Sequence, residues 1–278
     1  MTTLEIPPRG PSQPFFPQNG TQLGGGYLNE VYLRDPHSIV KKYHDEIPVG
    51  IPYDQRMRRE RLALAHFAGR VAPAFLGLAD IYMHQTFLPG KTYRDIMKED
   101  PTNTNCFSEA GSLLRRIHEP VHRPFEYLQE ELEWKNKKYM EKAGDVIRHF
   151  VPGFQEIKFD WDVISKYGST RVHRDFWFGN IINGKAIDWE FSGIGSPFED
   201  FAVAELWIFQ QYGGSDDFYK AYGTVPEAHV VKSFLQLKCI QFLANTTVKD
   251  VLQEDPQGER FFNNIINVLK GGKYENSE

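Results

Sequence analysis

The run His173-Arg174-Asp175-Phe176-Trp177-Phe178-Gly179-Asn180-Ile181-Ile182-Asn183-Gly184-Lys185-Ala186-Ile187-Asp188-Trp189-Glu190 constrains the fold more than any other stretch of the chain. Asn183-Gly184, set between Ile181-Ile182 and Lys185-Ala186-Ile187, is the signature of a two-residue type I′ hairpin, because both turn residues must take positive φ and Asn and Gly tolerate it. Such a turn fixes the register: Ile182 pairs with Lys185, Ile181 with Ala186, Asn180 with Ile187 and Gly179 with Asp188. Asn180 and Asp188 therefore emerge together at the open end of one hairpin. An amide oxygen and a carboxylate side by side are hard ligands, suited to an octahedral Mg²⁺ whose shell is completed by water and phosphate oxygens. Asp175 lies on the loop entering the hairpin, where a carboxylate can accept a hydroxyl proton while the metal holds a transferring phosphoryl group.

Composition narrows the setting. The 278 residues are 41% hydrophobic and 25% charged, enough to bury a core and incompatible with disorder throughout. With 32 Lys and Arg against 37 Asp and Glu, the net charge of -5 supplies no polycationic surface for nucleic acid or anionic lipid. Cys106 and Cys239 stand far apart, which indicates neither a disulfide framework nor a structural zinc site. Residues 1–20 are Pro-rich and aperiodic, an expected extended arm that matches neither a secretion signal nor a membrane span. The expectation is a soluble, cytoplasmic protein that binds neither nucleic acid nor membrane; its oligomeric state is left open.

Between 21 and 43 the text reads as two antiparallel strands around the turn signal Asp35-Pro36, and 56–67 reads as a helix stopped near Gly69. Residues 78–88 read as one β-prone segment ending at Pro89-Gly90, after which Thr92 caps a helix beginning at Tyr93. Further helices are expected over 108–118, 125–150, 197–211, 226–252 and 260–269. The outline is α+β and bilobal: an arm at 1–20, a small β-rich N-lobe at 21–90 and a larger, mostly helical C-lobe at 91–278.

His173-Arg174-Asp175 with Asn180 and a downstream Asp188 has the spacing of a kinase catalytic loop and its metal aspartate. Continued through Gly193-Ile194-Gly195-Ser196-Pro197 to Asp200-Phe201-Ala202, the run resembles the aminoglycoside phosphotransferase and choline kinase family, over about 24–208. That resemblance implies a protein-kinase-like fold and an ATP- or GTP-dependent transfer of the γ-phosphate to a hydroxyl of a small molecule, such as an aminoglycoside, sugar or amino alcohol. It makes Asp175 the catalytic residue, Asn180 and Asp188 the Mg²⁺ ligands, and His173 and Asp200 braces of the loop. It places the nucleotide against Gly24 and Gly25, against the hinge carrying Thr86 and Leu88, and against a strand lysine paired to Glu60. Lys41 is the choice for that lysine, since it follows Ile39-Val40; a register slip of one residue would exchange it for Lys42. For Glu60, a solvated charge face shared with Arg56 is the competing reading.

Two other functions stay in view. Arg174 resembles protein kinases, but Asp188 is followed by Trp189-Glu190 rather than Phe-Gly, and Val225-Pro226-Glu227 is the nearest echo of their Ala-Pro-Glu. A catalytically silent relative would lack a charged role, whereas Lys41, Glu60, Asp175, Asn180 and Asp188 are all present. Glu126, Glu130, Glu131 and Glu133 read as a solvated helix face rather than as the wall of a pocket for a cation. Trp161, Trp177, Trp189 and Trp207 read as core.

Overall fold

A computed structural model describes residues 21–25, 29–44, 51–245 and 256–272. The expected arm at 1–20 lies outside the described residues. The N-terminal part is a five-stranded antiparallel sheet of order β1-β2-β3-β5-β4, built from β1 (Thr21–Gly25), β2 (Asn29–Asp35), β3 (Ser38–Tyr43), β4 (Phe75–Ala79) and β5 (Tyr82–Thr86). Two sequence expectations are corrected here. The glycine-bearing segment before Asn29 is itself a strand, with Gly24 paired to Val31 and Gly25 to Glu30. The β-prone stretch 78–88 is split: Asp80 turns at φ 51°, a conformation that short polar side chains tolerate, and separates β4 from β5.

Helix α1 (Tyr53–Phe67) packs on this sheet by a stripe that includes Arg56, Glu60, Ala63, Leu64 and Phe67, all buried. The spacing is helical, but two of the buried positions are charged, which requires partners. Beyond the segment 87–92 the chain is mostly helical: α2 (Tyr93–Glu99), α3 (Asn105–Ile117), α4 (Phe125–Phe150), α5 (Trp161–Tyr167), α6 (Phe198–Ala204), α7 (Gln210–Tyr212), α8 (Ser215–Tyr222), α9 (Ala228–Asn245) and α10 (Pro256–Leu269). The side chain of Thr92 accepts from the Asp95 amide and caps α2, as its position predicts. On α3, Phe107, Ala110, Leu113, Leu114 and Ile117 form the buried face against α8.

Helices α5 and α8 escaped the sequence reading because each is short. The expected helix 197–211 is interrupted by a π-helical turn over Glu205–Phe209, and α9 ends at Asn245, with 246–255 outside the described residues. Strands β6 (Thr170–Val172) and β9 (Gly193–Gly195) form one small ladder, and β7 (Ile181–Ile182) and β8 (Lys185–Ala186) another. Among the described residues no helix is long and apolar enough to cross a membrane.

Candidate active site

The β7–β8 hairpin has the register dictated by its turn: Ile182 pairs with Lys185 and Ile181 with Ala186, around Asn183 and Gly184 at φ 49° and 67°. The Ile187 amide also donates to the Asn180 carbonyl, 2.9 Å, extending the pairing outward. The Asn183 side chain donates to the Pro89 carbonyl, 2.7 Å, so the hairpin tip is fastened to the segment joining the two parts of the molecule.

Asp175 and Asp188 face one cleft of about 1040 Å³, whose lining also includes Lys41, Glu60, Thr86 and Leu88; Asn180 is buried behind Asp175 and is not itself part of that lining. Asn180 donates from Nδ2 to the Asp175 carbonyl at 3.0 Å and to its Oδ2 at 2.8 Å. The amide nitrogen is thereby committed to Asp175, which leaves the amide oxygen as the group available to a ligand. Asp188, at φ 62°, gives one oxygen to Lys41 Nζ at 2.5 Å and keeps its side chain 35% exposed.

Lys41 also bonds Glu60 Oε2 at 2.7 Å, and the Tyr43 hydroxyl donates to the same oxygen. Burial alone lowers a lysine's pKa, but Asp188 and Glu60 outweigh it and hold Lys41 well above its ordinary value. Lys42 points to the other face of β3 and pairs with Glu30 at 3.4 Å. Glu60 is fully buried, which decides against the solvated charge face. Its supposed helical partner Arg56 is buried as well and pairs with Glu190 Oε2 at 2.8 Å, to which Asn29 also donates at 3.0 Å. Gly24 and Gly25 take their places in β1, while 26–28 lie outside the described residues.

The loop before the hairpin is held from behind. Asp200 is buried and accepts from the backbone amides of His173, 2.8 Å, and Arg174, 2.5 Å, and pairs with His118 at 3.0 Å. His173 Nε2 donates to the Ile187 carbonyl at 3.0 Å, and burial lowers its pKa against the opposing pull of Asp200. Arg174 takes φ 66°, costly for a residue with a Cβ by about 1–2 kcal/mol. Its side chain compensates with bonds to Glu199 at 2.8 Å, Glu131 at 3.0 Å and the Ile194 carbonyl at 3.0 Å. Lys135 joins the same two carboxylates, Glu199 at 3.0 Å and Glu131 at 2.8 Å. Burial pushes the Asp175 carboxyl up to about 7, with Lys238 of α9 as the largest opposing influence.

Sequence reasoning missed Arg56, Glu190 and Lys238. Glu190 follows the hairpin closely enough to have been suspected; Arg56 and Lys238 are brought in by helices and carry no local signal. The expectation that the tryptophans are core holds for Trp189, which is fully buried, but not for Trp177 and Trp207, which line the cleft. Trp177 folds over Gly179, where a Cβ would sit 2.4 Å from the indole, so that position needs glycine.

The likeness to solved structures is extensive and low in identity. The gentamicin complex of APH(2")-IIa shares 16% identity over 93% of each chain with a TM-score of 0.59. Choline kinase LicA from Streptococcus pneumoniae shares 18% over 91% of this chain and 93% of its own, at 0.60. The GDP complex of wild-type aminoglycoside 2'-phosphotransferase-IIIa shares 13% over 93% and 94%, at 0.60. These values show a common kinase-like, bilobal fold. No curated protein matches the chain. The family model of the phosphotransferase enzyme family matches residues 19–229, more than half the chain, and takes in every strand of the sheet, the hairpin and the brace behind it: the chain belongs to the phosphotransferase enzyme family.

Proposed function

We propose that the protein transfers the γ-phosphoryl group of ATP or GTP to a hydroxyl of a small molecule, as a cytoplasmic kinase. The observation that carries this reading is the convergence of the Lys41–Glu60 pair, Asp188 and Asp175 in one cleft, with Asn180 bonded to Asp175. Residues 21–90 form the nucleotide lobe and 91–278 the lobe carrying the loop and the acceptor. Lys41, held in place by Glu60, binds the α- and β-phosphates, and Thr86 and Leu88 border the base. Gly24 and Gly25, at the end of β1, are assigned to the phosphates.

The donor set fits Mg²⁺: one amide oxygen, on Asn180, and one carboxylate, on Asp188. Two protein ligands suit an ion that keeps waters and phosphate oxygens in its shell. When bound there, the ion supplies charge neutralisation of the phosphates. Asp175 is the base; Asn180 orients its Oδ2, and the ionised carboxylate receives the proton of the acceptor hydroxyl. Asp200, His173 and Arg174 position that loop without touching the acceptor.

Only residues 189–197 separate Asp188 from α6, too short a segment to form the docking platform of a protein kinase. No charged role is missing, which disfavours a silent protein. The test is titration of ATP and GTP with and without Mg²⁺. Asn180→Ala and Asp188→Ala should lose metal-dependent affinity by about tenfold or more, the worth of a charge-assisted contact. Metal-independent binding, identical in the wild type and both variants, overturns the assignment.

A further inference from the structure

Past Asp175 the cleft continues along three aromatic rings contributed by separate elements: Trp177 of the catalytic loop, Trp207 of the π-helical turn and Phe242 of α9. Trp177 and Trp207 lie 6.5 Å apart between centroids, and Trp207 and Phe242 6.2 Å, so the rings form one continuous wall. The π turn inserts an extra residue into the helix, a device that commonly serves functional sites, and here Trp207 lies within it. A protein cation already sits at each end. The Arg94 guanidinium carbon is 5.5 Å from the Trp177 centroid, and Lys238 Nζ is 5.2 Å from that of Phe242.

Cations are attracted to aromatic rings by the ring quadrupole. A cationic acceptor placed on this wall would compete with Arg94 and be repelled by it, whereas Lys238 lies behind the wall with its Nζ donating to the Arg174 carbonyl at 3.1 Å. Among the described residues it would also find little negative charge there. The carboxylates lining the cleft among these residues are Glu60, Asp175, Asp188 and Glu190, and their partners are Lys41, Asn180 and Arg56 at the Lys41 end. The acidic residues of α4 do not supply it either: Glu131 is bound to Arg174, Arg123 and Lys135, and none of Glu126, Glu130, Glu131 and Glu133 lines this cleft.

We propose that the acceptor is a ring-bodied alcohol that is uncharged or anionic, with its ring on the Trp177–Trp207–Phe242 wall and any carboxylate or phosphate toward Arg94. This rests on the phosphotransferase reading above. In the transfer, the acceptor oxygen forms the new bond to the γ-phosphorus as the bond to the bridging oxygen of the nucleotide breaks. The hydroxyl proton passes to Asp175, and the nucleoside diphosphate leaves.

The test uses the full chain with MgATP and a matched series: benzyl alcohol, meta-(hydroxymethyl)benzoate and meta-(hydroxymethyl)phenyl-trimethylammonium, with choline and kanamycin alongside. Phosphoryl transfer is measured together with quenching of tryptophan fluorescence. The benzoate and the neutral alcohol are expected to exceed the trimethylammonium compound by about tenfold in kcat/KM, equivalent to about 1.4 kcal/mol. Arg94→Glu should narrow or reverse that ratio. Trp207→Ala should raise KM for the neutral alcohol by about two- to tenfold, the worth of an aromatic contact, with the MgATP Kd as control for folding. Preference for the trimethylammonium compound, choline or kanamycin overturns the proposal, as does the absence of both transfer and quenching with every member of the series at millimolar concentration. Failure of the wild type to bind MgATP at all overturns the phosphotransferase reading instead.

Discussion

The two ends of the cleft are built on different principles. At the Lys41 end the groups are charged, buried and paired: Lys41 with Glu60 and Asp188, and Arg56 with Glu190. At the other end are half-buried rings on three separate elements, with cations beside the outer two. A buried ion pair tolerates little change, because removing one partner leaves an uncompensated charge in a medium of low polarity. An aromatic wall loses only contact area when one ring is removed. The shared reaction is thus expected to depend steeply on single residues of the charged end, and acceptor choice shallowly on several residues of the aromatic end.

The largest expected effect lies where the two ends meet. Asp175→Asn keeps the shape but cannot accept the hydroxyl proton, so single-turnover transfer should fall by about 100- to 10,000-fold while MgATP affinity stays near the wild-type value. An unchanged rate removes Asp175 as base and erases the distinction between the ends.

Next is the brace behind the loop that carries both Asp175 and Trp177. Burial raises the Glu199 carboxyl, but Arg174 and Lys135 outweigh it and pull it down to about 2 from the usual 4.5. A carboxyl depressed in the folded protein stabilises it above the unfolded value, and that stabilisation is lost as pH falls from about 4.5 through about 2. The gap corresponds to about 3 kcal/mol, measurable as a decline in unfolding free energy over that window. Glu199→Gln should be less stable near neutrality and show a shallower acid decline; an acid limb equal to the wild type's refutes the brace.

The smallest comparison is between neighbours on β3. Lys41→Ala should raise the nucleotide Kd by about 10- to 100-fold through loss of a charge-assisted contact. Lys42→Ala removes a half-exposed pair with Glu30 and should change it by no more than about twofold. Equal losses from the two variants dissolve the asymmetry of the strand.

The hairpin and its register were legible in the sequence, because they depend on local chemistry. Asn183-Gly184 dictates the turn, the turn dictates the register, and the register brings Asn180 and Asp188 to one end. The alternation along β3 separates Lys41 from Lys42 for the same local reason. Burial of Glu60 could not be read this way: on α1 alone its spacing from Arg56 suits a solvated face, and only packing of the helix on the sheet sends Glu60 to Lys41 and Arg56 to Glu190. The Asp80 turn, the π-helical interruption and the aromatic wall lie equally beyond local reading. Trp177, Trp207 and Phe242 are far apart in the chain, and each by itself resembles a core residue. Side-chain periodicity records which face of an element is apolar, but which faces meet, and which ring is left at the edge of a cleft, depends on contacts between elements that tertiary packing alone brings together.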